Sequence, residues 1–80
     1  MTQIEKTLAK FKQNPTTLHF REIETLLLRL GFELIPAKGS HKKFKHATLT
    51  ADIVVPVHNG DCKDFYKKEI VKILKENNIS

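Results

Sequence analysis

The sequence predicts an α+β fold in which a three-stranded antiparallel sheet carries helices on one face, in the order α-α-β-β-β-α. Apolar residues recur with helical spacing towards both ends of the chain, whereas the middle alternates with a period of two. Gly and Pro stand where the period changes. The 80 residues suffice for one small domain, 1–80, which would bury roughly 60–65% of its extended-chain surface.

Three segments have the apolar spacing of helices. The first covers residues 2–13, with Thr2 as candidate N-cap, and Pro15 ends it. The second covers 20–30, and Gly31 follows it where a C′ glycine belongs. The third covers 64–77. Their apolar positions are Ile4, Leu8 and Phe11; Ile23, Leu26, Leu27 and Leu30; and Tyr66, Ile70, Ile73 and Leu74.

The middle of the chain predicts three strands. They cover residues 32–37, 41–47 and 51–57, and Gly39-Ser40 forms a hairpin turn between the first two. Pro56 places the third strand at an edge of the sheet or at its own end. Residues 58–64 read as a loop rich in turn-forming residues.

Composition narrows the classes of function. The net charge is +5, and no acidic residue lies between Glu33 and Asp52, which favours a polyanionic ligand over a neutral one. Cys62 is the only cysteine, so no internal disulfide can form. The longest apolar run is about five residues, so neither a membrane span nor a signal peptide is predicted, and we expect a cytoplasmic protein.

The basic stretch "AKGSHKKFKH", residues 37–46, holds four lysines and two histidines. If Phe44 points into the core, alternation puts Lys42 and His46 on its side of the strand. His41, Lys43 and Lys45 then share the opposite, open face of the sheet. Lys38 lies across the turn, and Gly39 lets a ligand approach the backbone closely. The remaining candidate contact at this turn is Ser40.

This placement suits cleavage of RNA, which carries its own nucleophile, the 2′-hydroxyl. A neutral His41 imidazole can accept the 2′-hydroxyl proton, and nearby lysines can stabilise the charge that develops on phosphorus. The reaction needs no metal and no other cofactor. Zinc binding by His41, His46 and His58 is disfavoured, because no carboxylate or cysteine stands at helical spacing with them.

The same residues allow less specific interpretations. The basic face could hold RNA without cutting it, or the lysines could simply be solvated. His46 is a candidate substrate contact, but both His46 and His58 also fit solvent-facing strand ends, which we favour on spacing. His19 reads as a residue at a helix boundary.

The segments "LLLRLGFELIPAKGSHKKFKH", "VVPVH" and "EIVKILKENNI" together resemble the HicA-type mRNA interferase toxins, over about residues 20–79. The resemblance implies a double-stranded-RNA-binding-domain-like fold and an endoribonuclease that acts on mRNA. It implies that His41 is catalytic, with Gly39 and Ser40 in the same motif, and that a HicB-type antitoxin neutralises the protein. Residues 1–19 would be an additional helix and connector, which could also serve dimerisation or an adaptor role, and homo-oligomer formation stays open.

The predicted third strand is apolar on both faces. In a sheet covered on one side, either Val54 and Pro56 or the alternate row of Ile53, Val55 and Val57 must face outward. An exposed apolar row beside a basic row predicts a surface for an acidic antitoxin, which would block RNA by covering it. The alternatives are that the 58–64 loop or the first helix folds over these residues, or that the protein self-associates there.

Overall fold

The computed structural model describes residues 2–79 and has the predicted element order. The helices are α1 (Gln3–Gln13), α2 (Phe20–Arg29) and α3 (Asp64–Glu76), with a 3-10 turn, Pro15–Thr17, between α1 and α2. The strands are β1 (Glu33–Ile35), β2 (His41–Lys45) and β3 (Ile53–Pro56), antiparallel in the order β1-β2-β3. The α+β class is thus confirmed, although each strand is shorter than predicted.

The ends of α1 and α2 follow local capping rules. The Thr2 hydroxyl accepts from Glu5 N–H (3.3 Å), which confirms the predicted cap of α1. His19 is the N-cap of α2, as its reading as a boundary residue implied, and Glu22 accepts from its backbone N–H (3.1 Å). At the other end of α2, Gly31 has φ +96°, a conformation that glycine adopts without strain.

The strand register decides which side chains share a face of the sheet. Lys43 pairs with Ile35 on β1 and with Val54 on β3, and His41 pairs with Pro56. Directly opposed residues point to the same side, so these five lie together. Phe44 pairs with Ile53 on the other side, where both are buried. The helices cover that inner side.

The core lies between the inner side of the sheet and the helices. Among residues 2–79 it is one cluster of fourteen buried apolar residues: Phe11, Leu18, Phe20, Ile23, Leu26, Leu27, Phe32, Phe44, Ile53, Val55, Ile70, Val71, Leu74 and Ile79. Phe11 of α1 is fully buried within it, so the first helix shares the core of the other elements.

Two tight turns position His41 and the loop that precedes α3. His41 N–H donates to Lys38 O (3.4 Å) around the predicted Gly39-Ser40 turn, in which Gly39 has φ +64°. In the loop before α3, Asn59 and Gly60 both have positive φ, as a type I′ turn requires. No helix between residues 2 and 79 has the length and apolar character needed to cross a membrane.

Candidate active site on the outer face of the sheet

The side of the sheet away from the helices combines basic and apolar side chains. We call it the outer face and define it by His41, Lys43, Lys45, Ile35, Val54 and Pro56; the acidic Glu33 lies directly opposite Lys45 at its margin. Val54 is 48% exposed although it is a valine in the middle of a strand. Of the two rows of β3 that could have faced outward, the structure selects Val54 and Pro56, because Ile53 and Val55 enter the core.

His41 is an exposed reactive group of this face. It is the first residue of β2, lies directly opposite Pro56 and is exposed. Within residues 2–79 its imidazole has no hydrogen bond and no ion pair, and its backbone is held by the Lys38–His41 turn. A ring with two unengaged nitrogens on a fixed backbone can accept or donate a proton to a ligand without first breaking a protein contact.

The four predicted contact lysines do not lie together. Lys43 and Lys45 project from the outer face, and Lys43 forms an ion pair with Asp52 (3.5 Å). Lys38 is exposed on the turn beside His41. Lys42 lies on the inner side, as alternation predicted, where its ammonium group contacts the Glu24 carboxylate of α2 (2.9 Å). The outer face therefore carries two of the four, Lys43 and Lys45, and Lys38 lies on the adjoining turn.

His46 has both ring nitrogens engaged. Its Nδ1 accepts from Thr48 N–H (3.1 Å), so Nε2 carries the proton and donates to Leu30 O (3.1 Å). The ring also packs against Phe32, with 4.6 Å between centroids. These contacts connect the end of α2 to the end of β2. His46 therefore has a structural role on the inner side of the sheet.

His58 extends the outer face beyond β3. Val57 N–H donates to Ser40 O (2.8 Å), so strand-like pairing continues one residue past Pro56 and alternation returns His58 to the side of Pro56. Pro56 and His58 line one shallow groove of about 460 Å³, together with Asp61, Cys62, Lys63 and Tyr66. His58 is exposed, in agreement with the predicted solvent-facing strand end, and the Pro56-x-His58 spacing is the signal that it shares a face with Pro56.

A profile of the family described as HicA toxin of bacterial toxin-antitoxin matches residues 20–79. The chain belongs to the HicA toxin family. No curated protein and no solved structure matches it. The family match includes His41, His58 and the whole outer face, and it begins where α2 begins, so α1 and the 3-10 turn lie outside it. Membership makes the chain a toxin of a toxin–antitoxin system, which implies a cognate antitoxin.

In this HicA family member, an ion pair between Asp61 and Lys67 holds one side of the groove that Pro56 and His58 line. Asp61 Oδ1 accepts from Phe20 N–H (3.0 Å) and Cys62 N–H (2.8 Å), and lies 3.3 Å from the ammonium group of Lys67. The imidazole of His19 approaches the other carboxylate oxygen at 3.8 Å. One carboxylate thus joins the loop before α3 to the start of α2 and to α3.

Burial and hydrogen bonding act in opposite directions on the Asp61 pKa. Burial raises it, but the hydrogen bonds from Cys62, Lys67 and Phe20 and the Lys67 charge outweigh burial and hold the pKa below its usual value. Burial raises the pKa of the neighbouring Cys62 thiol, which keeps the thiol protonated at neutral pH. Within residues 2–79 no group of three or more His, Cys, Asp or Glu side chains is arranged to hold a metal ion.

Proposed function

We propose that this protein is a metal-independent endoribonuclease that cleaves mRNA, with His41 as general base and a HicB-type antitoxin as its inhibitor. The observation that carries the proposal is the unengaged, exposed imidazole of His41 on a face that also presents Lys43 and Lys45. This arrangement lies inside the segment that matches the toxin family.

The reaction follows from the chemistry of the outer face. A neutral nitrogen of His41 accepts the proton of an RNA 2′-hydroxyl, and the 2′-oxygen attacks the adjacent phosphorus. The bond from phosphorus to the 5′-oxygen breaks, leaving a 2′,3′-cyclic phosphate and a 5′-hydroxyl end. Lys43 and Lys45 stabilise the added negative charge on the phosphoryl oxygens.

The departing 5′-oxygen needs a proton, and His58 is the candidate donor. It stands two residues beyond Pro56, the partner of His41, on the same side. Diagonal neighbours of this kind have α-carbons roughly 7–8 Å apart, which leaves room for one phosphate between two side chains. The imidazolium of His58 would donate its proton as the bond to phosphorus breaks.

An antitoxin that covers the outer face explains its apolar residues. Val54, Ile35 and Pro56 form an apolar strip beside the lysines, a combination that suits a partner with apolar and acidic side chains. In the described chain α1 packs against α2, and the loop before α3 borders only Pro56, so Val54 stays 48% exposed. Binding there would bury His41 and exclude RNA.

A non-catalytic RNA-binding module is the second candidate. It is favoured by the outer-face lysines, which would hold phosphates whether or not His41 reacts. The two functions differ in what a His41 substitution changes.

Cleavage of a synthetic RNA by purified protein tests the proposal. His41→Ala should lower the rate by at least about 10²-fold while RNA affinity and the circular dichroism spectrum persist, because the side chain lies outside the core. Free imidazole should restore part of the rate, EDTA should change nothing, and a 2′-deoxy substitution at the cleaved position should abolish cutting.

Three results would contradict the proposal. They are equal cleavage by wild type and His41→Ala, a requirement for divalent metal, and tight RNA binding by a wild-type protein that cuts no RNA. The last result would support the binding module.

A further inference from the structure

A second basic surface lies away from the outer face, where α3 meets the end of α1 and the 3-10 turn. A groove of about 480 Å³ opens between these elements. Four of its seven lining residues are lysines and one is acidic: Lys12, Lys68, Lys72, Lys75 and Glu76, with Pro15 and Val71. We call it the lysine groove.

The lysines of this groove have no internal partner. Across residues 2–79, none of the four forms an ion pair with a carboxylate within 4.0 Å; this is also true of isolated surface lysines such as Lys6 and Lys10, but here four such lysines border one groove. Lys72 and Glu76 are one helical turn apart, yet they are not among the ion pairs of residues 2–79, which join His19 and Lys67 to Asp61, Lys42 to Glu24 and Lys43 to Asp52. Four ammonium groups around one groove repel each other, and no ion pair offsets this repulsion. The arrangement therefore does not stabilise the free protein.

Helix electrostatics explains only half of the cluster. Cations are favourable near a helix C-terminus, which accounts for Lys12 in the last turn of α1 and Lys75 in the last turn of α3. Lys68 lies near the start of α3, where the helix dipole does not favour a cation. A ligand is therefore the better explanation for Lys68 and Lys72.

The spacing suits a chain of phosphates. Lys68, Lys72 and Lys75 follow i, i+4, i+7, so they project from one side of α3 at intervals of about 4.5–6 Å along its axis. The apolar floor of Pro15 and Val71 can lie under sugars or bases while the ammonium groups reach phosphate oxygens.

We infer that the lysine groove binds the phosphate backbone of single-stranded RNA as a second contact surface, away from His41. The inference rests on the proposed RNA substrate and extends it. The longest dimension of the described chain is 36 Å, so a single RNA strand can reach from the outer face to the groove. Lys12 and Pro15 lie outside the family match, so the groove gives the additional N-terminal segment a function: it completes an RNA surface with α3.

The test measures RNA affinity against salt in the His41→Ala background, which prevents cleavage. Lys68→Gln/Lys72→Gln removes two exposed lysines at i, i+4 on α3. Lys6→Gln/Lys10→Gln is the matched control, because it removes two exposed lysines at i, i+4 on α1, outside the groove. Both pairs lower the net charge equally, so any difference between them reports position.

The groove variant should lower the salt slope by about 1.4 units for an RNA of about 20 nucleotides, and the control should change it little. Neither should affect binding of about 5 nucleotides, which can occupy the outer face alone. Lys12→Gln should add a further loss for the longer RNA. Thermal unfolding should show that all variants keep the fold.

If the groove variant and the control variant lower the salt slope equally, the inference is wrong, because the effect then depends on net charge alone. A groove variant that binds RNA like wild type but binds the antitoxin less tightly would also overturn it and assign the groove to an acidic protein. Either result leaves cleavage by wild type intact, whereas a wild type that neither binds nor cuts RNA would overturn the proposed function itself.

Discussion

At the scale of single residues, the histidines of this chain differ in what their ring nitrogens touch. His46 uses both nitrogens to join Leu30 and Thr48, whereas His41 uses neither within the described chain. Only a ring with free nitrogens can exchange a proton with substrate at no cost to folding. This contrast, rather than sequence position, separates the candidate catalytic residue from the structural one.

The proposed proton donor, His58, can be tested with a modified RNA. Replacing the bridging 5′-oxygen by sulfur gives a leaving group that needs no protonation. His58→Ala should slow cleavage of ordinary RNA by about 10²-fold but cut the sulfur-containing RNA nearly as fast as wild type. His41→Ala should remain slow on both, because the 2′-hydroxyl must still be deprotonated.

A His58→Ala variant that cuts both RNAs at the wild-type rate would remove His58 from the mechanism. Equal slowing on both RNAs would instead assign it a positioning role. Val57 N–H still donates to Ser40 O in this variant, so the strand end should persist.

At the scale of elements, β2 separates its charges by alternation. Lys42 and Lys43 are neighbours in sequence, and each forms one ion pair, but Lys42 contacts Glu24 under the sheet and Lys43 contacts Asp52 at the outer face. The two lysines therefore carry the same charge on the same strand, and each pairs with one carboxylate, but they lie on different faces of the sheet.

This pair provides an internal control for where RNA binds. Lys43→Gln should lower the salt slope of RNA binding by about 0.7 units, because one phosphate contact is lost. Lys42→Gln should leave the slope nearly unchanged, although the sequence alone predicted a phosphate contact for both. Fluorescence anisotropy with His41→Ala protein measures both. Equal decreases in the salt slope for the two variants would mean that RNA contacts both faces of the sheet.

At the scale of the whole molecule, Asp61 and Lys67 connect the loop before α3 to α2 and α3. The Lys67 side chain is 5% exposed, so it depends on Asp61 for its charge partner. Asp61→Asn keeps an oxygen for Phe20 N–H and Cys62 N–H but removes the charge. We expect a loss of about 2 kcal/mol, less than for a fully buried pair, because Asp61 is 36% exposed.

The stability difference between wild type and Asp61→Asn should depend on pH. The folded-state pKa of Asp61 is lowered, so its ionised form contributes stability at pH values above the unfolded pKa, and that contribution is lost as the pH falls through the folded pKa. In urea unfolding, the gap between wild type and Asp61→Asn should therefore shrink from about pH 6 to about pH 2. Adding Lys67→Met to Asp61→Asn should recover stability, and a constant gap at all pH values would contradict the charge pairing.

The sequence by itself determined the local structure and the faces of the strands. The spacing of apolar residues located the helices, and Gly39, which accepts a positive φ, located the hairpin turn. Alternation along β2 put His41 and Lys43 on one face of the sheet and Lys42 on the other. These follow from nearest neighbours along the chain, so a pattern of a few residues suffices.

Only the tertiary structure decided which contacts join distant segments. It engaged both nitrogens of His46, buried Lys67 against Asp61, and chose Val54 rather than Val55 for the outer face. It also brought Lys12 of α1 beside Lys68 of α3, across more than fifty residues of chain. Such contacts depend on how helices pack on the sheet, and the helical or strand period of a single segment carries no information about the segment against which it will pack.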